Sequence, residues 1–232
     1  AMVCVGGEPL IKHVIEKLKS AGTERIVVNV HHFATQITDY LKENNNFNTD
    51  IRISDESDKL LDTGGGIKKA QDLFDKESPI LIHNVDILSN VDLKRFYEAG
   101  ISNSNIDKES TTADAVLLVS ERKTKRYLLF DNSMRLVGWT NIETGEVRSP
   151  YPNLNPKDCK MYAFAGIHTI SPRLFKMMDE DFPDKFGIID FYLKACKSHI
   201  IKGYVKENLK LLDVGKLDTL KEAEDFVQTR ES

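Results

Sequence analysis

The chain has 232 residues, with 32 Lys and Arg against 36 Asp and Glu for a formal net charge of −4, and 41% of it is hydrophobic. That is enough for one globular domain, or one domain with an appendage, around a sizeable core. Nothing approaches the roughly 20 apolar residues of a membrane span, and the uncharged stretch from Met161 to Pro172 is interrupted by Gly166, His168 and Thr169. Charges of both signs are interspersed, so no basic face is on offer to nucleic acid or to an anionic membrane. Cys4, Cys159 and Cys196 are odd in number and far apart, which argues against a disulfide framework or structural zinc and for a cytoplasmic protein.

Across the first hundred residues, β-branched runs alternate with amphipathic ones, the pattern of parallel strands joined by helical crossovers. A helix containing Ile15–Leu18 is expected to end at Ala21-Gly22, where glycine can take the left-handed cap. Residues 26–30 read as a strand covered on both faces, followed by a helix over 33–42 and a strand over 50–54. A third helix is expected to begin near Gly66, with a strand over 79–84 and a helix over 92–99. The polar stretch Ser102–Asn105 with Asp107–Ser110 reads as a surface loop. Short strands follow over 115–120, 127–131 and 135–139, the last two forming a hairpin attached to the main sheet. A proline-punctuated excursion around 149–156 leads to a strand over 162–170 and a helix over 172–178 with Pro172 in its first turn. The ending reads helix, strand, strand, helix over 188–196, 203–207, 209–214 and 218–227. The fold class is α/β.

Several constellations could carry chemistry. Gly64-Gly65-Gly66 precede a helical run and would leave backbone amides open to a flat or anionic ligand, although a plain strand-to-helix connection would look the same. Asp86 follows a strand directly, at the carboxyl end where open α/β sheets bind ligands. Asp213 ends the apolar run Leu209–Leu212 in the same kind of place. Each Asp alone could simply cap a turn; together they could share one Mg²⁺, a cation that takes one or two carboxylates and fills its octahedron with water and phosphate oxygens. His31 and His32 are neighbours on an extended chain and point to opposite faces, which disfavours a joint metal site. Arg122, Lys123, Lys125 and Arg126 form a basic cluster and Lys185 stands between Asp184 and Phe186; each could be solvated surface or contact a phosphate. No serine elbow and no Cys/His pair is present for covalent catalysis.

The order of these pieces resembles the sugar-1-phosphate nucleotidyltransferase family, the nucleotide-diphosphate-sugar pyrophosphorylases. Val3-Cys4-Val5-Gly6-Gly7-Glu8-Pro9-Leu10 resembles that family's Val-Pro-Val-Gly-Gly-Lys-Pro-Leu segment. Leu61-Asp62-Thr63-Gly64-Gly65-Gly66 resembles its base-binding loop, and His83-Asn84-Val85-Asp86 its Asn-Gly-Asp metal strand end, with Val85 where glycine is usual. Phe164-Ala165-Gly166-Ile167 resembles the sugar-pocket strand. Leu212-Asp213-Val214-Gly215, followed by Leu217-Asp218-Thr219-Leu220, resembles the C-terminal metal-aspartate element. Among subgroups the chain is most similar to N-acetylmuramate 1-phosphate uridylyltransferases and small mannose-1-phosphate guanylyltransferase-like enzymes. Family members open with a strand and a Gly-x-Gly-Thr-Arg loop that wraps the triphosphate, whereas this sequence begins just past them. A sheet without that central strand would expose unpaired backbone, so further residues are expected upstream.

The resemblance implies a single nucleotidyltransferase domain over 1–232, a Rossmann-like three-layer sandwich on a mixed, mostly parallel sheet (the nucleotide-diphospho-sugar transferase fold). It implies nucleotidyl transfer from a nucleoside triphosphate to a sugar 1-phosphate, with Mg²⁺ as cofactor and a monomer or homodimer as assembly. Asp86 and Asp213 would hold the metal, Asp86 and Lys185 would serve catalysis, and Thr63, Gly64, Gly65, Gly66 and Asn84 would bind the nucleotide. Gly166, Arg126 and Asn141 would take the sugar phosphate. Two rivals stand beside this reading. A nucleotide-sugar-dependent glycosyltransferase would want an Asp-x-Asp motif, of which Asn84-Val85-Asp86 lacks the first acid. A catalytically silent sugar-nucleotide-binding regulatory subunit would lack the phosphate loop altogether.

Overall fold

A computed structural model describes residues 1–102, 112–215 and 219–228. In chain order the first elements are β1 (Cys4–Val5), β2 (Glu8–Pro9), α1 (Leu10–Ser20), β3 (Arg25–Val30), α2 (Ala34–Glu43) and β4 (Asp50–Asp55). Next come α3 (Asp62–Lys69), β5 (Ile80–His83), β6 (Ile87–Ser89), α4 (Leu93–Ser102) and β7 (Ala115–Ser120). Then follow β8 (Arg126–Phe130), β9 (Leu136–Asn141), β10 (Glu146–Arg148) and β11 (Lys160–Ile170). The ending is α5 (Phe175–Asp181), α6 (Ile188–Ala195), β12 (Ile201–Val205), β13 (Leu211–Asp213) and α7 (Leu220–Gln228). Past Ser102 the expected surface loop lies outside the described residues, as do Lys216, Leu217 and Asp218 of the C-terminal motif.

The backbone groups into two compact units. The first comprises Ala1–Lys59, His83–Lys94 and Asn208–Ser232. Its α1 turns Leu10, Ile11, Val14, Ile15 and Leu18 inward along one stripe, and the chain leaves the helix through Gly22 at φ +88°, the left-handed exit that glycine permits. β3 and β4 pair in parallel with Ile26 opposite Ile51, joined by α2 as a crossover. β13 runs antiparallel to β6, with Leu212 opposite Leu88 and Asp213 opposite Ile87. Val5, Leu10, Leu88, Val214 and Ala223 form this unit's local core, with Phe226 and Val227 packed on it. Each fully buried aliphatic side chain there contributes about 1.5–3 kcal/mol of transfer free energy, which is what holds the β6–β13 pair in place.

The second unit, Leu60–Ile82 and Arg95–Glu207, carries a seven-stranded sheet in the order β10-β9-β8-β11-β7-β12, with β5 also pairing β11. The sheet is mixed: β12 is parallel to β7, whereas β11 is antiparallel to both β7 and β8, and β8–β9–β10 form an antiparallel meander. Antiparallel pairs therefore weigh more than the expected mostly parallel sheet allows, because the hairpin insertion extends into three strands. Leu117, Val119, Leu128 and Phe130 from the sheet pack with Ile67, Met178, Phe191 and Tyr192 from the helices in one continuous core. Among the described residues no helix is long and apolar enough to cross a membrane.

Candidate active site

Asp86 and Asp213 lie far apart in sequence and are brought together by the antiparallel register of β6 and β13. Asp213 closes β13 opposite Ile87, and the Val214 amide donates to the Asp86 carbonyl at 2.8 Å. Their side chains converge on Gly215. A methyl carbon placed on Gly215 would stand 3.1 Å from Asp213 Oδ1 and 3.4 Å from Asp86 Oδ2, so glycine keeps the space between the carboxylates open. The Gly215 amide donates to Asp213 Oδ1 at 3.1 Å, which orients that carboxylate. Burial, and then the negative charge of Asp213, push the Asp86 carboxyl above its ordinary range, as expected for like charges sharing a partly dry site. Among the described residues no third His, Cys, Asp or Glu joins them.

This donor set suits a hard divalent cation held by two carboxylates with its remaining positions left to water and phosphate oxygens. The stability consequence has a definite sign. A carboxyl whose folded pKa is raised favours the fold when protonated, and that stabilisation fades as pH rises through the folded pKa. Asp86→Asn is therefore expected to raise the melting temperature of the chelator-treated protein at pH 7 and to leave it unchanged near pH 3, where both forms are neutral in either state. Thermal melts in EDTA at the two pH values check this.

Asn84 sits in the turn before Asp86. Burial depresses His83 to about 4, so its imidazole is neutral at pH 7 and Nδ1–H donates to the Asn84 carbonyl at 2.8 Å. That carbonyl also accepts from the Ile87 amide at 3.2 Å, pinning the turn that presents Asp86. Val85 is accommodated in this turn. Asn84 thus belongs to the unit of the two aspartates, while Thr63 to Gly66 belong to the other.

The glycine triplet departs from the expected loop. α3 begins at Asp62 rather than near Gly66, and all three glycines are buried inside it. The amides of Gly64 and Gly65 both donate to the Phe186 carbonyl, at 2.9 and 3.2 Å, and so are not left open for a ligand. A methyl carbon on Gly64 would run into the Phe186 ring, and one on Gly65 into the Asp184 carbonyl. The glycines allow α3 to lie directly against the 184–187 backbone, a close approach that any side chain would prevent. Thr63 Oγ1 accepts the Ile188 amide at 3.0 Å, satisfying one of the open donors at the start of α6. Asp62, held at φ +60°, faces Lys185 with Nζ 3.7 Å from Oδ2. Residues 61–65 and 184–188 are thus laced together, and Lys185 is anchored to the glycine element.

The remaining predicted residues fall on the sheet of the same unit. Gly166 is buried in β11 at φ +73°, where the pairing with β7 shifts between Phe164 and His168. Arg126 and Asn141 are direct cross-strand partners on β8 and β9, but Asn141 Oδ1 is taken up by the Glu143 amide at 3.0 Å in the turn to β10. Sequence reasoning passed over His168, two residues beyond Gly166, whose Nδ1 lies 2.5 Å from Tyr192 Oη. The lone His in an apolar strand was a signal, but its tyrosine partner is 24 residues away on α6.

The mixed α/β framework is that of the nucleotide-diphospho-sugar transferase fold, as its likeness to solved nucleotidyltransferases shows. The structure of HddC from Yersinia pseudotuberculosis complexed with GMP-PN is similar over 97% of this chain and 88% of that one, at a TM-score of 0.71 and 21% identity. The inositol-1-phosphate CTP transferase of T. maritima is similar over 98% and 86%, at a TM-score of 0.66 and 14% identity. The chain belongs to the Nucleotidyl transferase family, whose model matches residues 1–129. In sequence it is 42% identical over 88 residues to the N-acetylmuramate alpha-1-phosphate uridylyltransferase of Caulobacter vibrioides, covering 37% of this chain and 36% of the relative. It is 30% identical over 103 residues to the UTP–glucose-1-phosphate uridylyltransferase of Synechocystis, covering 40% and 26%. The match thus spans about a third or less of the length of these two curated relatives.

Proposed function

We propose that the protein transfers a nucleotidyl group from a nucleoside triphosphate to a sugar 1-phosphate, releasing pyrophosphate and forming a nucleotide sugar. The convergence of Asp86 and Asp213 on Gly215, in a chain of the Nucleotidyl transferase family, carries this reading. In the reaction a phosphate oxygen of the sugar 1-phosphate bonds to the α-phosphorus as the bond to the pyrophosphate oxygen breaks, and no protein nucleophile is needed. The two aspartates would hold Mg²⁺, which when bound neutralises phosphate charge. For that they must be ionised, and burial resists the ionisation of Asp86. In the second unit Lys185, paired with Asp62, is a cation able to meet a phosphate.

The relatives' names make uridine triphosphate the first nucleotide to test and the 1-phosphates of N-acetylmuramate and glucose the first acceptors. A panel of five nucleoside triphosphates against mannose, glucose, N-acetylglucosamine and N-acetylmuramate 1-phosphates, read by pyrophosphate release, is expected to single out one pair by about tenfold or more in kcat/KM. Discrimination of that size follows when a site's polar groups are left unpaired by the wrong substrate. Magnesium-dependent binding of a nucleotide sugar with no pyrophosphate release from any pair would overturn the reading.

A further inference from the structure

β7 and β12 run parallel, with Val119 opposite Val205, and ligands of open α/β sheets gather beyond the carboxyl ends of such strands. The loop that leaves β7 there belongs wholly to the second unit. It carries Arg122, Lys123 and Lys125, with Arg126 at the start of β8, against the single acid Glu121, and all five side chains are exposed. Lys125 is paired with Glu143 at 2.7 Å. Arg122 instead turns one terminal amine to the Phe164 carbonyl, at 3.0 Å, just ahead of the break in the β7–β11 ladder between Phe164 and His168. Ser120, the last residue of β7, pairs with Ala163, so Ser120 and the Arg122 guanidinium abut the same short piece of β11. Ser120 is 6% exposed, and its Oγ is buried with no hydrogen-bond partner among the described residues, a rare state for a hydroxyl in a folded protein. The loop has a fixed shape: the Thr124 amide donates to Tyr127 Oη at 3.0 Å, and the Ile142 amide donates to the Lys125 carbonyl at 2.8 Å.

We propose that Arg122 and Ser120 form a binding site for a phosphate monoester, with Lys123 and Arg126 adding to the field around it. The planar guanidinium meets two phosphate oxygens at once, and the Ser120 hydroxyl donates to a third. The bond to the Phe164 carbonyl holds the fork in place, so little side-chain freedom is lost on binding. A fixed fork beside a buried, unpartnered hydroxyl is what separates such a site from a merely positive surface, where scattered charges act interchangeably and salt screens them all. The sugar 1-phosphate of the proposed reaction is a monoester of this kind, but inorganic phosphate offers the same oxygens, so the site can be tested apart from that reaction.

The test is calorimetric titration of the whole chain, in EDTA, with glucose 1-phosphate, inorganic phosphate and uridine triphosphate. Glucose 1-phosphate and inorganic phosphate are expected to bind, and Arg122→Gln to weaken both about tenfold or more, the effect of losing a charge-assisted hydrogen bond. Its amide can still donate to the Phe164 carbonyl, so the fold should be kept. Arg122→Lys, which restores the charge without the fork, should recover only part of the loss. Ser120→Ala should weaken both ligands about threefold to tenfold, and because it removes a buried hydroxyl without a partner, the ligand-free variant should melt no lower than the wild type. Lys123→Gln should cost less than about twofold. Equal losses for Arg122→Gln and Lys123→Gln would reduce the loop to a diffuse positive surface and overturn the proposal. So would unchanged affinity in Arg122→Gln and Ser120→Ala, or a wild type that binds neither glucose 1-phosphate nor inorganic phosphate. A loss seen with uridine triphosphate alone would give the site to a triphosphate and overturn the monoester. Phosphate binding lost in Arg122→Gln, in a protein whose wild type releases no pyrophosphate with any pair, would sink the proposed reaction and uphold the site.

Discussion

Asp86→Asn and Asp213→Asn are each expected to lower pyrophosphate release by about 10²–10³-fold, the scale of removing one group that stabilises charge in a transition state. Both side chains aim at the same space beside Gly215, so the two losses should not add: the double variant should be barely slower than the worse single one, as with groups that act as a unit. The fold should survive, because each substitution conserves volume and removes mutual repulsion. Steady-state rates across a Mg²⁺ titration decide the matter. A single variant that keeps near-normal turnover at saturating Mg²⁺ removes that residue from the metal site, and full additivity separates the two roles.

Gly65→Ala is expected to destabilise the protein by about 3 kcal/mol, at the upper end of the usual overpacking cost, or about 6–12 °C in melting temperature for a chain of this size. The added carbon would meet the Asp184 carbonyl, which is backbone and cannot swing aside. Gly64→Ala should behave alike through the Phe186 ring. Relief would require α3 to lift from residues 184–187, breaking the bonds from Gly64 and Gly65 to Phe186 and from Ile188 to Thr63. Nucleotide affinity should then fall only together with stability. A Gly65→Ala variant that melts like the wild type but binds nucleotide more weakly would mean that the glycine faces ligand after all.

Local chemistry made much of the architecture readable from sequence. Period-2 and period-3.6 patterns place β3, α2, β4, β7, β11 and α6 within a few residues of where they form, and Gly22 ends α1 because glycine alone enters the left-handed region freely. Asp86 and Asp213 were recognisable as strand-end acids. What one-dimensional patterns do not encode is which strand lies beside which. The antiparallel register of β6 and β13 makes one site of the two aspartates and leaves Gly215 as the spacer between them. The glycine triplet shows the same limit in reverse: absent side chains serve a ligand or a packed neighbour equally well, and only the Phe186 carbonyl against α3 tells the two apart. His168 was invisible for a related reason. Its state depends on burial and on a tyrosine from another helix, and both belong to the tertiary structure because desolvation and partner geometry are properties of the folded surroundings and not of the residue.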